Sequence, residues 1–378
     1  MMAIMPGAML GVLGGGQLGR MFVQAAQQMG YPVTVLDPDN GSPAGRVADD
    51  FICAGYADQS ALEKLGSQCA AITTEFENIP ANSLRNLAKS CAVSPDAYSV
   101  SVAQNRIAEK QFLSINGFTV APFAVIQQTD DFADQDAADL LPGILKVSQF
   151  GYDGKGQVKV ASAAEFPAAY AQLNHAVCVL EKFMPLKCEI SVVVARGGDG
   201  KVATFPVSEN QHVNGILDVS IVPARIAPLL AGKAQEIACQ IAKSLNYQGV
   251  LCVEFFVLQD DELVINEIAP RPHNSGHYSI DACVTSQFEQ QVRTLCGLPL
   301  GSTAQLSPAV MINLLGDVWR NGDPDWNIVL QHPSTKLHLY GKTEARPGRK
   351  MGHFTVLSSD IETALSEALH IKQQLDQS

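Results

Sequence analysis

Glu254 and Glu267 are the residues of this chain whose types and spacing most directly imply chemistry. They lie on two apolar, β-branched runs, residues 249–257 and 263–268, that flank the pair Asp260-Asp261. If that pair is a two-residue turn, as its composition allows, Glu254 faces Glu267 across an antiparallel ladder. Cross-strand neighbours have Cβ atoms roughly 4.5–5.5 Å apart, and like charges there repel. A divalent cation held by carboxylate oxygens, with phosphate oxygens completing its shell, would relieve that repulsion. The plainer reading is a solvated hairpin edge, since charged edges discourage aggregation.

The run that follows favours chemistry. Asn266-Glu267-Ile268-Ala269-Pro270-Arg271-Pro272-His273-Asn274-Ser275-Gly276-His277 carries two prolines that end the strand and fix an irregular loop. Arg271 then projects beside the proposed cation, where it can neutralise a transferring phosphoryl group. His273 and His277 have a spacing that invites zinc. The loop lacks helical character and no third soft ligand accompanies them, so zinc is set aside. Structural hydrogen bonding is the plain role for both, with anion contact or proton transfer the functional alternative for His273.

Three further stretches could bind phosphate or purine. Gly151-Tyr152-Asp153-Gly154-Lys155-Gly156-Gln157 follows a strand bearing Lys146. It resembles a phosphate-covering loop but lacks the Walker spacing and its terminal Lys-Ser/Thr pair. Asp-Gly is also an ordinary turn signal, yet Tyr152 and Asp153 put bulk and charge into a flexible loop, which tilts the reading toward function. Glu181-Lys182-Phe183-Met184 can offer backbone groups and a lysine to a purine edge, with Glu189 in reach of a ribose; an exposed Glu-Lys pair is otherwise an ordinary surface pair. Gly14-Gly15-Gly16-Gln17-Leu18-Gly19, with Asp37 ending the next strand, fits the dinucleotide fingerprint and suggests a nicotinamide enzyme. Its physical content is narrower: backbone N–H groups at a helix N-terminus attract an anion.

These residues need a scaffold of several domains, and 378 residues with 47% hydrophobic and 17% charged content suit a globular enzyme. Strands alternate with helices from Met9 to about residue 105, which implies an α/β unit with a doubly wound parallel sheet. Residues 106–297 read as a second domain: a helix from Arg106 to Asn116 stopped by Gly117, strands around residues 144–147, 177–181 and 189–194, a helix from Ala234 to Leu245, the acidic hairpin, and a helix marked by Val284, Phe288, Val292 and Leu295. Residues 298–378 form a small third domain closed by a helix near residues 361–375. The formal net charge of −12 argues against a general nucleic-acid binder, but Lys342, Arg346, Arg349 and Lys350 cluster against one acid, Glu344. No apolar run is long enough to span a bilayer. The N-terminus has no basic start or small-residue cleavage pattern and reads as a short leader. Nine scattered cysteines without a Cys-x-x-Cys pair imply small buried residues in a reducing cytoplasm.

A glycine loop after a strand lysine, then Glu-Lys-Phe, then paired glutamates followed by Asn-Glu-x-x-x-Arg, resembles the ATP-grasp superfamily. The whole chain from Met9 onward resembles its 5-(carboxyamino)imidazole ribonucleotide synthase family. Gly14 to Met21, Thr74-Glu75-Phe76-Glu77-Asn78, Gly151 to Gln157 and Ala269 to His277 carry that resemblance. It implies an N-terminal Rossmann-like pre-ATP-grasp domain over residues 1–105, an ATP-grasp domain of two α+β halves over 106–297 (the lid half about 106–185), and a small C-terminal domain over 298–378. It also implies ATP between the two halves. Arg106 and Lys146 would hold its phosphates under Gly151 to Gln157, with Glu181, Lys182, Phe183 and Met184 at the adenine, Glu189 on the ribose, and Asn266 beside Glu267. Glu254 and Glu267 would hold Mg²⁺, and Arg271 would support phosphoryl transfer to bicarbonate. Aminoimidazole ribonucleotide would meet Gln17, Leu18, Glu75 and Asn274, with Lys342, Arg349 and Lys350 on its 5′-phosphate.

The implied reaction is ATP-dependent carboxylation of that amine through carboxyphosphate. Tyr152, Asp153, Lys155, Arg271 and His273 are the implied catalytic residues, in a cytoplasmic homodimer that passes its product to a separate mutase. The first ten residues extend beyond the usual start, and Lys155 stands where relatives often carry arginine, which alone can grip a carboxylate bidentately. Three rivals follow from the same residues. One is a formate-using ATP-grasp enzyme acting on glycinamide ribonucleotide, whose relatives carry small residues where Tyr152-Asp153 stand. Another is an NAD-dependent dehydrogenase, suggested by Gly14 to Gly19 with Asp37. The last is a catalytically silent nucleotide-binding regulator, against which intact Glu254, Glu267 and Arg271 count.

Overall fold

The computed structural model describes residues 3–133, 135–149, 151 and 156–377. Tyr152, Asp153, Gly154 and Lys155 lie outside the described residues. Three sheets organise the chain. The first is parallel, in the order β3-β2-β1-β4-β5, built from β1 (Leu10–Leu13), β2 (Val33–Asp37), β3 (Asp50–Cys53), β4 (Ala71–Thr74) and β5 (Ala92–Val93). β1, β2 and β4 are buried along their whole length, which is why they read as unbroken apolar runs rather than alternating ones. The second is antiparallel, in the order β6-β9-β7-β8: β6 (Phe123–Ile126), β7 (Gly143–Val147), β8 (Gln157–Val160) and β9 (Cys178–Lys182).

The third sheet has nine strands. Its path β15-β14-β10-β12-β13-β16-β18-β17 uses β10 (Leu186–Arg196), β12 (Ser208–Val213), β13 (Ile216–Val222), β14 (Gly249–Leu258), β15 (Leu263–Ala269), β16 (Ala309–Leu315), β17 (Thr335–Leu339) and β18 (Lys350–Leu357); β11 (Val202–Thr204) adds to β10. The chain past residue 298 packs a core around Phe354, Val356 and Ile371 that it shares with Val219 and Ile221 of β13, and its strands extend the central sheet. β16 pairs β13 through Ile312 and Val219, because β13 without it would leave an unpaired ladder.

Smaller differences have local causes. The helix expected from Ala234 begins at Pro228 and runs to Ser244, with proline in its first turn, where a missing N–H costs nothing. Val284 is exposed and precedes its helix, which spans Gln287–Leu295 and starts on a Ser286 side-chain cap. Four of the nine cysteines are exposed or half-buried, Cys53 the most open. No helix among the described residues is long and apolar enough to cross a membrane.

Candidate active site

The acidic pair meets as expected, by a different route. The turn after β14 has three residues, closed by Leu258 N–H donating to Glu262 O at 2.9 Å and Asp261 N–H to Leu258 O at 3.0 Å, with Asp261 at φ 63°. That turn sets Phe255 opposite Ile265 and would place Asn266 against Glu254; a bulge at Asn266 restores Glu254 opposite Glu267. The bulge sits in the ligand set itself. The Asn266 amide N–H₂ lies 3.5 Å from Glu254 Oε2, and its Oδ1 is buried with no hydrogen-bond partner. An orphaned buried acceptor demands a partner. Beside two carboxylates, it completes an all-oxygen donor set suited to Mg²⁺ and poor for softer ions.

Cations neutralise both acids in this state. Arg106 Nη1 lies 3.3 Å from Glu267 Oε2, and His273 Nε2 lies 3.1 Å from Glu254 Oε1. Burial alone would raise Glu254, but His273 and then His212 hold it down at about 2. Burial alone would lower His273, but Cys252 and Glu254 push it up to about 10. The contact with Glu254 thus favours a proton on His273 Nε2 in this state. Its Nδ1 meets Ser275 Oγ at 2.8 Å. His277 turns elsewhere, to Gln287 Nε2 at 3.2 Å.

Behind the pair lies a buried charge triad. Glu181 Oε2 receives Lys146 Nζ at 3.1 Å and Lys110 Nζ at 3.3 Å. Burial would raise Glu181, yet Lys146 and Lys110 hold it below the usual carboxylate range. The Glu181 carboxylate thus faces the lysines, so any purine contact at this position falls to the chain leading from β9 to β10. There Lys182 and Phe183 are exposed, Lys159 Nζ stands 4.5 Å over the Phe183 ring, and Met184 packs against Ala121, Leu258 and Val264. Gly151 and Gln157 flank the undescribed loop residues. Gly156, at φ 73°, passes its carbonyl to Val147 N–H, and Gln157 pairs Lys146 across β7 and β8. Glu189 on β10 meets His212 Nδ1 at 3.1 Å.

The glycine turn binds an anion, and the anion is Glu75. Its two oxygens accept Gly16 N–H at 2.8 Å and Gly19 N–H at 3.0 Å, and a Cβ at Gly14 would stand 2.7 Å from Glu75 Cγ. Asp37 is also committed, accepting Gly15 N–H and the Tyr56 hydroxyl, both at 2.6 Å. A dinucleotide needs the pyrophosphate position and the ribose acid free; here side chains of the chain itself hold both. The nicotinamide reading loses its physical basis.

Gln17 meets the basic cluster: Lys342 Nζ donates to Gln17 Oε1 at 2.7 Å and to Lys350 O at 2.6 Å. Tyr340 supports this lysine, its ring 5.6 Å from Nζ and its hydroxyl 2.9 Å from His353 Nδ1. Arg349 is tied to its own loop through Glu344 O at 2.9 Å. The Leu18 side chain packs into the core, leaving only its backbone for a ligand. Asn274 is buried in a reciprocal amide pair with Asn313, at 3.0 and 2.7 Å. Arg271 pairs with Glu77 and lies within the electrostatic reach of Glu75 and Glu267. It therefore lies between Glu75 of the glycine turn and Glu267.

The ATP-grasp domain model matches residues 111–288, the ribonucleotide synthetase preATP-grasp domain model residues 7–104, and the phosphoribosylaminoimidazole carboxylase C-terminal domain model residues 309–367. The N5-carboxyaminoimidazole ribonucleotide synthase of Bacillus subtilis is 43% identical over 96% of this chain and 95% of its own length. This chain belongs to the N5-carboxyaminoimidazole ribonucleotide synthase family. The Brucella melitensis member is 44% identical over 93% of this chain and 97% of its own length. A crystal structure of the ADP complex of an N5-carboxyaminoimidazole ribonucleotide synthetase superposes with TM-score 0.92 at 45% identity, covering 99% of both chains. The Aspergillus clavatus enzyme in complex with ADP and 5-aminoimidazole ribonucleotide superposes with TM-score 0.90 at 31% identity, over 98% of this chain and 99% of the other. As a family member the chain is an ATP-dependent ligase of the ATP-grasp class.

Sequence reasoning missed Lys110, Glu109, Glu77 and His212. For Glu109 and Lys110 a signal existed: with Arg106 they recur at i, i+3 and i+4, one face of a helix.

Proposed function

We propose that this chain uses ATP and bicarbonate to carboxylate the amine of 5-aminoimidazole ribonucleotide, giving N5-carboxyaminoimidazole ribonucleotide for purine synthesis. The observation that supports this is the loop from Glu267 to Asn274, whose Glu267 faces Glu254 and pairs with Arg106, while its Arg271 pairs with Glu77 toward the glycine turn. A bicarbonate oxygen attacks the γ-phosphorus as the bond to ADP breaks, giving carboxyphosphate. Carboxyphosphate collapses to CO₂ and phosphate, and the substrate amine adds to CO₂ with loss of a proton.

Arg106 and Lys146 hold phosphate oxygens, and Arg271 stabilises the charge that spreads over the transferring group. Glu254, Glu267 and Asn266 would hold Mg²⁺, which when bound supplies positive charge at the phosphate oxygens. Gly151 to Gln157 covers the phosphates and excludes water from carboxyphosphate. Glu189, with His212, takes the ATP ribose. Gln17, the Leu18 backbone, Glu75, Lys342, Arg349 and Lys350 take the ribonucleotide, with Asn274 setting the floor of that site through Asn313. His273 donates to carboxylate or phosphate oxygens, while Tyr152, Asp153 and Lys155 orient bicarbonate or move the amine proton. The chain acts in the cytoplasm as a homodimer and hands its product to a separate mutase.

ADP release measured with each co-substrate omitted tests the reading. Release that needs both bicarbonate and 5-aminoimidazole ribonucleotide for full rate supports it. Release driven by formate and glycinamide ribonucleotide would overturn it in favour of the formylating class.

A further inference from the structure

The helix Arg106–Ile115 grips three consecutive residues of β15 with one stripe of side chains. Arg106 reaches the Glu267 carboxylate at 3.3 Å. Lys110 donates from Nζ to Asn266 O at 3.0 Å, and Glu109 accepts Ile268 N–H. β15 is the outer strand of its sheet, met on its outward side by a backbone bridge between Val120 and Ile265. Thr119 O takes the N–H of Ile265 at 2.9 Å, while Lys110 takes the Asn266 carbonyl and Glu109 the Ile268 N–H, one on each side of Glu267. Lys110 has no exposed surface and Glu109 only 2%, although lysine and glutamate are rarely buried this deeply. From the same Nζ, Lys110 also reaches Glu181 on β9, which in turn holds Lys146.

We infer that Glu109 and Lys110 are positioning residues for the nucleotide site. Glu109 and Lys110 fix the backbone on both sides of Glu267, so the bulged strand presents Asn266 and Glu267 in one geometry. Lys110 links that strand to the Glu181–Lys146 pair of the other half, and so sets the spacing between the cation ligands and the phosphate-binding lysine. A buried polar group of merely structural use would be cheaper as a hydrophobe. Here two buried ionisable side chains sit side by side, each bonded to backbone that flanks a proposed ligand.

This inference rests on the reading of the nucleotide site, and Mg²⁺·ADP titration calorimetry on the unaltered protein tests that reading by itself. With binding established there, Lys110→Met should weaken Mg²⁺·ADP and raise the Mg²⁺ concentration needed for half-maximal rate on the order of 10–100-fold, as loss of groups supporting metal ligands does. Lys110→Arg, which keeps the cation, should recover part of the loss. Glu109→Gln, which keeps an acceptor for Ile268 N–H, should bind within about threefold of the parent, whereas Glu109→Leu should fall with Lys110→Met. Binding of 5-aminoimidazole ribonucleotide, measured in each variant by equilibrium dialysis, should stay unchanged. Unaltered Mg²⁺·ADP affinity in Lys110→Met and Glu109→Leu would overturn the inference, as would equal loss of both ligands in every variant that folds. If Lys110→Met does not fold, the contrast between Glu109→Gln and Glu109→Leu decides the question in the same way.

Discussion

Glu254 lies opposite Glu267 because the strand carrying Glu267 bulges at Asn266. The extra residue inserts an amide between two carboxylates and leaves its oxygen without a partner. Glu267→Gln keeps the shape and removes one charge from this set. ADP release should fall by at least about 100-fold, while 5-aminoimidazole ribonucleotide still binds in a dialysis assay. Full activity in this variant would remove Glu267 from the cation site.

Glu75 closes the glycine turn, and burial raises its carboxyl above the usual range despite the Gly16 and Gly19 N–H donors and Arg271. Glu75→Ala leaves two N–H groups without an acceptor and should lower stability by about 1–3 kcal/mol in urea unfolding. Glu75→Gln retains one acceptor and should lose less. NADH fluorescence should not change when the unaltered protein is added, and a saturable change would revive the dinucleotide reading.

The His273–Glu254 pair predicts a pH profile. His273 keeps its proton to about pH 10 when folded, against an ordinary 6.5, so its contribution is complete below 6.5 and declines as pH rises toward 10. Glu254 stays ionised down to about pH 2, against an ordinary 4.5, so its contribution is complete above 4.5 and is lost as pH falls toward 2. Between those limits the pair stabilises most. His273→Gln should trail the parent in urea midpoint by the widest margin near pH 5–6 (roughly the centre of that window) and by a narrower one near pH 9. A margin that widens from pH 6 to 9 contradicts the pairing.

Lys342 joins the glycine turn to β18 through Gln17 and Lys350 O. Lys342→Met removes a charged donor worth about 1.5–3 kcal/mol. The KM for the ribonucleotide should rise about tenfold or more, with the KM for ATP unchanged. Steady-state kinetics at fixed, saturating ATP would register equal shifts in both constants as evidence against this placement.

Much of this is legible in the residues alone. Unbroken apolar runs mark buried parallel strands, and the Asn-Glu-x-x-x-Arg loop marks the site, because both signals are local. The facing of Glu254 and Glu267 follows even from the wrong turn: a three-residue loop and a bulge, each one residue out, cancel. Asp260-Asp261 does not reveal this, since the left-handed conformation of Asp261 suits either loop length. The identity of the anion at Gly16 is hidden for another reason. Glu75 lies fifty-nine residues away, and only β1 pairing with β4 brings it there. The Asn274–Asn313 pair is hidden in the sequence because Asn313 arrives from β16, thirty-nine residues on. Lys110 escapes notice because a buried lysine and a solvated one look alike in a helix.

The shared nine-stranded sheet also bears on how this enzyme can be divided. Cut after residue 298, the chain would present β13 as a bare edge in which Val219, Ile221 and Val222 are all apolar. Such an edge recruits other chains, so the shortened protein should aggregate rather than persist as a two-domain nucleotide binder. The segment that carries Lys342, Arg349 and Lys350 doubles as the cap over that edge, and neither can be moved without the other.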